Sequence, residues 1–248
     1  MGNWNWSYFL SWDWSFLMSD PGGKIPTYWQ WLISAWGWTA AVAACSLILA
    51  LAVGSVVGVL RTLPDNRLLS SLGAVWVELF RNIPLLVQLF VWRFVLTLLP
   101  VIKDFSAFTL MALALGLFTS ARVAEQVRSG IQALPRGQRN AAMALGLSTP
   151  QTYRHVLLPI AYRIILPPLT SESMSIVKNS AVAFAASIPE LTQYFYQVTE
   201  ETSRTKEIFI LVVALYVVTA LVVWVVMHWI EKYTRVPGFV GSSDAGGR

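Results

Sequence analysis

RGQRNAAMALGLSTPQTYRHVLLP, Arg136 to Pro159, is the most polar long passage in a chain otherwise dominated by apolar runs. Gln138 to Leu145 is built of good helix formers, Ala141, Ala142 and Ala144 among them, and Gly146 stops the run. Glycine is favoured just past a helix end because that position often takes a positive φ, where a side chain would strain the backbone. Either Ser148 or Thr149 can cap the next helix. Ser148 with Gln151 has the spacing of a capping box, whereas Thr149 would place Pro150 at the first helical position. The second helix is expected to run through Tyr153 and Val156 to Leu158 and to close at Pro159. Pro135 ends the helix that arrives from upstream, so the passage reads as a stiff, polar helix-turn-helix.

Around it the chain is apolar. Of 248 residues 56% are hydrophobic and 12% charged, against about 45–50% and about 25% in soluble domains. This composition is that of a membrane protein. Lys and Arg total 18 and Asp and Glu 13, a net charge of +5, and the cations are spread along the chain rather than gathered on one aromatic-studded face. That distribution argues against nucleic acid. The single cysteine, Cys45, excludes an intrachain disulfide, and His155 and His228 stand far apart without ligand-like neighbours, so no metal site is expected.

Five stretches can cross a hydrocarbon core, which takes about 20 mainly apolar residues. They are 36–60, 83–102, 105–121, 164–188 and 208–230. Backbone amides in lipid must bond within their own segment, so the fold class is an all-α integral membrane protein of about five transmembrane helices. Pro167 and Pro168 should bend the fourth or delay its start.

With an odd number of spans the two ends lie on opposite sides. Placing the N-terminus outside leaves Arg61, Arg67, Arg81, Arg122, Arg128, Arg136, Arg139, Arg154, Arg163, Lys232, Arg235 and Arg248 in the cytoplasm. Only Lys24, Lys103, Arg204 and Lys206 then fall outside, a strong positive-inside asymmetry. The helix-turn-helix is therefore expected in the cytoplasm, the C-terminus with it. Trp4, Trp6, Trp12, Trp14, Trp29, Trp31, Trp36 and Trp38 crowd the opening, and amphipathic rings favour the headgroup level. The organisation expected is an interfacial segment 1–34, a transmembrane domain 35–232 carrying the loop 136–159, and a cytoplasmic tail 233–248.

Asn140-Ala141-Ala142, Gly146 four residues on, then Val156, Leu158 and Pro159 resemble the EAA loop of permease subunits in binding-protein-dependent ABC importers. Glu78 to Gln88 (ELFRNIPLLVQ), Gly116 to Gln138 and Lys178-Asn179-Ser180 are similar to the polar amino-acid branch, nearest its glutamate/aspartate permeases. Asparagine stands at Asn140 where the family usually has glutamate. The resemblance implies that Asn140, Ala141, Ala142, Gly146, Val156, Leu158 and Pro159 couple the chain to an ATPase, which would hold ATP and Mg. It further implies a second permease subunit, identical or related, an external solute-binding protein and a bacterial inner-membrane location. No Gly-x-x-x-x-Gly-Lys-Ser/Thr occurs in the chain, so ATP hydrolysis is expected on a separate subunit and no catalytic residue or cofactor on this one.

Arg93 and Lys178 lie inside expected spans, where a charge costs about 2.5–3.5 kcal/mol unless it faces protein or water. They could line a path for acidic amino acids, with Asn179 and Ser180 as neutral partners and Glu172 nearby. Snorkelling, or pairing with Glu172 or a partner carboxylate, would equally explain them. An ion-coupled secondary transporter or channel is the alternative. It would favour internal repeats and several intramembrane carboxylates, and here only Glu172 falls within a span.

Overall fold

The computed structural model describes residues 11–64 and 66–234, and the regular elements among them are all helical. A 3-10 turn at Ser15–Met18 precedes α1 (Tyr28–Leu60), α2 (Arg67–Asn82), α3 (Leu85–Phe90), α4 (Ala107–Gln132), α5 (Arg136–Ala144), α6 (Thr149–Thr152), α7 (Leu158–Asn179), α8 (Leu191–Thr202) and α9 (Thr205–Thr234). Trp4 and Trp6 of the opening, and residues 235–248 of the expected tail with Arg235 and Arg248, lie outside the described residues.

Three helices are long and apolar enough to cross a membrane: α1, α4 and α9. A fourth crossing is available as a broken span, since α2 and the limb Leu85–Leu98 pass together but meet at 101°. The stretch expected at 83–102 is thus only the second limb of a bent pair, and α2 before it carries Arg67, Glu78 and Arg81, which hide it from a search for apolar runs. The stretch expected at 164–188 is embedded in α7 and the 3-10 turn Ser180–Ala186. With Arg163, Glu172 and Lys178 along it, α7 is not among the helices apolar enough to span by itself.

Two further expectations change. α1 starts at Tyr28, where the Thr27 side chain accepts the Gln30 N–H at 3.2 Å, so Trp29 and Trp31 belong to the helix and the boundary expected after residue 34 falls inside it. α4, as a helix ending just before Pro135 should, runs on past Ala121 to Gln132, and its Arg122, Glu125 and Arg128 find partners within the bundle. Pro167 and Pro168 neither delay nor interrupt α7, which begins nine residues before the first of them.

The bundle is built on close packing of α1 against α4. A Cβ on Gly54 would sit 2.7 Å from the Ser120 carbonyl oxygen and one on Gly58 2.7 Å from that of Ala124. Both obstacles are backbone, which cannot swing aside, so glycine is what lets these two helices touch. One apolar cluster joins Val42, Met111 and Leu115 to Leu89, Ile176, Val177 and Ala183. A second, at the other end of α1 and α4, joins Val123, Val127 and Ile131 to Tyr153, Leu157 and Ala161. A third packs Phe16 and Leu17 with Tyr28, Leu32, Tyr194 and Ile208, fastening the N-terminal turn to α8 and the start of α9.

Candidate functional site

α5 closes in a Schellman turn. Gly146 has φ +84°, its N–H reaches the Met143 carbonyl at 3.0 Å, and the Leu147 N–H reaches that of Ala142 at 3.2 Å. Of the two caps open to the next helix, Ser148 is the one used. The Gln151 side-chain carbonyl accepts both the Ser148 backbone N–H at 2.8 Å and its hydroxyl at 2.9 Å, which holds the turn to the first residues of α6.

Pro159 does not close the second helix. The backbone widens into a π turn over Tyr153–Leu157, in which the Leu158 N–H reaches back five residues to the Tyr153 carbonyl, and α7 continues directly from it. A proline supplies no N–H to the carbonyl four residues before it, and the wider turn absorbs that gap without breaking the helix. The projection is therefore continuous with α7.

It is also anchored. Tyr153 is buried and its hydroxyl donates to the Thr62 carbonyl at 2.5 Å, just past the end of α1. Ala142 is buried, and Val156 and Leu158 pack against the second cluster. Asn140, Ala141 and Gly146 face outward beside Met143 and Leu145, the latter 84% exposed. The seven residues expected for coupling thus divide: Val156 and Leu158 hold the projection to the bundle, Ala142 is buried on α5, Asn140, Ala141 and Gly146 form the tip, and Pro159 is exposed where the projection joins α7.

The charged residues expected along a solute path separate likewise. Glu172 pairs with Arg122 of α4 at 3.6 Å, not with Lys178. Arg93 lies in the π turn Val91–Val95 with its guanidinium carbon 5.7 Å from the Phe94 ring centre, and Lys178 is exposed near the end of α7. Among the described residues neither cation forms an ion pair. Their chain neighbours Trp92 and Val177 pack in one apolar cluster. Asn179 is half-buried, and the buried Ser180 hydroxyl donates to the Val177 carbonyl at 2.7 Å.

Two polar clusters escape a reading of the sequence. Glu125 in α4 binds Arg61, takes Arg128 at 2.8 Å and has Arg81 at 4.0 Å, tying the ends of α1 and α2 to α4. Glu190, fully buried, caps α8 through the N–H groups of Thr192 and Gln193, both at 2.9 Å, and accepts the Tyr216 hydroxyl at 2.7 Å. The Leu191 N–H donates to Thr39 of α1 at 3.1 Å. Glu190 followed by Gln193 is legible as a helix start. The distant contacts are not, because Leu191 meets Thr39 across 152 residues and Glu190 meets Tyr216 across 26, and neither pairing leaves a local mark.

With this geometry in place, the chain can be set beside known proteins. Residues 50–236 match the family described as binding-protein-dependent transport system inner membrane component. The chain belongs to that family. It is 44% identical over 244 residues to the glutamate/aspartate import permease protein GltJ of Escherichia coli K12, covering 94% of this chain and 98% of that protein. It is 34% identical over 216 residues to the nopaline transport system permease protein NocM of Agrobacterium fabrum, covering 82% and 89%. Among solved structures, an amino acid ABC transporter crystallised with histidines superposes with a TM-score of 0.72 at 28% identity, over 83% of this chain and 95% of that one. The MetNI methionine ABC transporter in an inward-facing form shares the fold, with a TM-score of 0.69 at 23% identity. This permease is accordingly a membrane subunit, not an enzyme, in a family whose members work with an ATPase and a solute-binding protein.

Proposed function

We propose that this permease carries acidic amino acids, glutamate and aspartate, across the bacterial inner membrane by ATP-driven alternating access. The observation that carries the substrate reading is the 44% identity, spread over nearly the whole of both chains, to a glutamate/aspartate import permease. Arg93 and Lys178, without an ion pair among the described residues, fit a carboxylate-bearing solute, arginine as a bidentate donor and lysine as a point charge. Glu172, already held by Arg122, serves as a structural partner in this reading.

The projection 136–159 docks in a groove of the ATPase, which holds ATP and Mg. Its tip of Asn140, Ala141 and Gly146 touches that subunit, while Ala142, Val156, Leu158 and Pro159 pass the motion into α7. A second permease subunit completes the passage, since so few spanning helices leave little room for a hydrophilic path within one bundle. The N-terminus faces the binding protein and the C-terminus the cytoplasm.

Purification of the intact complex tests the reading. ATP hydrolysis should rise when the binding protein is loaded with glutamate or aspartate and stay basal with arginine or lysine. Stimulation by basic amino acids alone refutes the substrate assignment. Failure of any loaded binding protein to stimulate hydrolysis, with the complex intact, refutes the coupling role.

A further inference from the structure

The bend between α2 and the limb Leu85–Leu98 leaves backbone groups without partners. In a continuous helix the Phe80 carbonyl would accept the N–H of residue 84, but residue 84 is proline and has none. Ile83 is extended, with ψ 128°, which takes its carbonyl out of the helical ladder as well. One side chain meets both. The Gln88 amide nitrogen donates to the Phe80 carbonyl at 2.8 Å and to the Ile83 carbonyl at 2.9 Å, from a residue that is only 5% exposed. Both neighbours can only accept, so the nitrogen end must face them and the amide orientation is fixed. The consequence is that the Gln88 carbonyl oxygen is left buried with no partner. A fold tolerates an orphaned acceptor only where what the group does with its other end outweighs the loss.

We infer that Gln88 is a positioning residue for transport: its side chain stands in for the missing Pro84 N–H, holds the bend, and so sets where the limb carrying Arg93 lies against α4 and α7. Leu85, Leu89 and Trp92 of that limb pack in the cluster shared with Met111 and Val177, so a change of angle moves them as one body. The inference rests on the reading of Arg93 as a path residue only for its effect on uptake, not for the clamp itself.

Distance measurement decides it. In the assembled complex, with Cys45→Ser, spin labels at the exposed positions Leu72 and Leu98 report the angle across the bend. With Gln88 the distribution should be narrow and independent of pH. Q88M keeps the bulk but has no donor, and should broaden the distribution and lower uptake by roughly tenfold or more. Q88E should resemble Q88M at about pH 9, where a carboxylate cannot donate, and narrow again toward about pH 5, where the protonated acid can. A role in packing alone would not produce that recovery, and the Q88E series decides even where Q88M fails to assemble. A wild-type distribution in Q88M, or a Q88E variant without pH dependence, overturns the clamp. If glutamate and aspartate prove not to be carried, the distance result stands unaffected, so the two readings fail separately.

Discussion

Gly146 is the residue at which the coupling role is most sharply exposed to test. A side chain there would meet nothing within 4 Å, so its whole cost comes from φ +84°, a conformation that is about 1–2 kcal/mol unfavourable for other residues. Gly146→Val should therefore leave membrane insertion and assembly intact, distort only the turn between α5 and α6, and lower uptake per ATP hydrolysed by about tenfold. Uptake and hydrolysis measured on the same vesicles give that ratio, and an unchanged ratio sinks the coupling role. Arg93 and Lys178 pose a different question, because each stands without an ion-pair partner among the described residues. A hydrogen bond to a charged group contributes about 1.5–3 kcal/mol, so Arg93→Met and Lys178→Met should each reduce glutamate uptake by roughly tenfold or more. If both variants keep wild-type uptake and selectivity in reconstituted vesicles, the cations lie off the path.

At the scale of elements, the projection works only if it is stiff and fastened. Beside apolar packing on Ala50, Leu51 and Val59, its polar fastening to the end of α1 is the Tyr153 hydroxyl, given to the Thr62 carbonyl at 2.5 Å, with the Thr62 hydroxyl farther away at 3.2 Å. Tyr153→Phe should destabilise the assembled complex by about 1–3 kcal/mol, visible as a lower thermal midpoint, and should lower the coupling ratio. Thr62→Ala removes only the weaker contact and should do neither. Equal effects from the two would mean that the backbone bond is not the anchor. The turn in this element is legible in the sequence because its determinants are local: a glycine that needs positive φ, and a serine three residues before a glutamine. Pro159 misleads because the π turn that accommodates it depends on the helix continuing into a packed bundle. α2 and α8 stay hidden for one reason: both bury only part of their surface and carry polar residues, so neither shows as an apolar run. The charges in the candidate path stand out in the sequence as anomalies. Their division into Glu172 with Arg122, and Arg93 and Lys178 apart, requires the packing of α4 on α7.

The whole molecule has two chemically different ends, and α1 separates them. Its 33 residues extend about 50 Å at 1.5 Å per residue. At its N-terminal end Tyr28 bonds Glu201 at 2.9 Å, and the segment before it is latched to the α8–α9 turn by Asp13 with Arg204 at 2.6 Å. The Asp13 carboxyl is held below the usual carboxylate range, first by the Ser15 hydroxyl and N–H that donate to it, which keeps that latch charged. At the far end Arg61 binds Glu125 and Thr62 receives Tyr153, so the helical projection, α2 and the charged half of α4 gather there. The cations that the positive-inside rule puts in the cytoplasm, Arg61, Arg81 and Arg128, meet at one end, and Arg204, which it puts outside, meets Asp13 at the other. Packing thus keeps these two groups of charges apart, at opposite ends of α1. The orientation is therefore open to a direct test. In a Cys45→Ser background, a cysteine at Met18 should react with an impermeant maleimide added to intact spheroplasts, and one at Leu145 should react only after the membrane is opened. Both positions are well exposed, so silence at either cannot be put down to burial. Labelling of Leu145 from outside would invert the protein and remove the projection from the reach of any cytoplasmic ATPase.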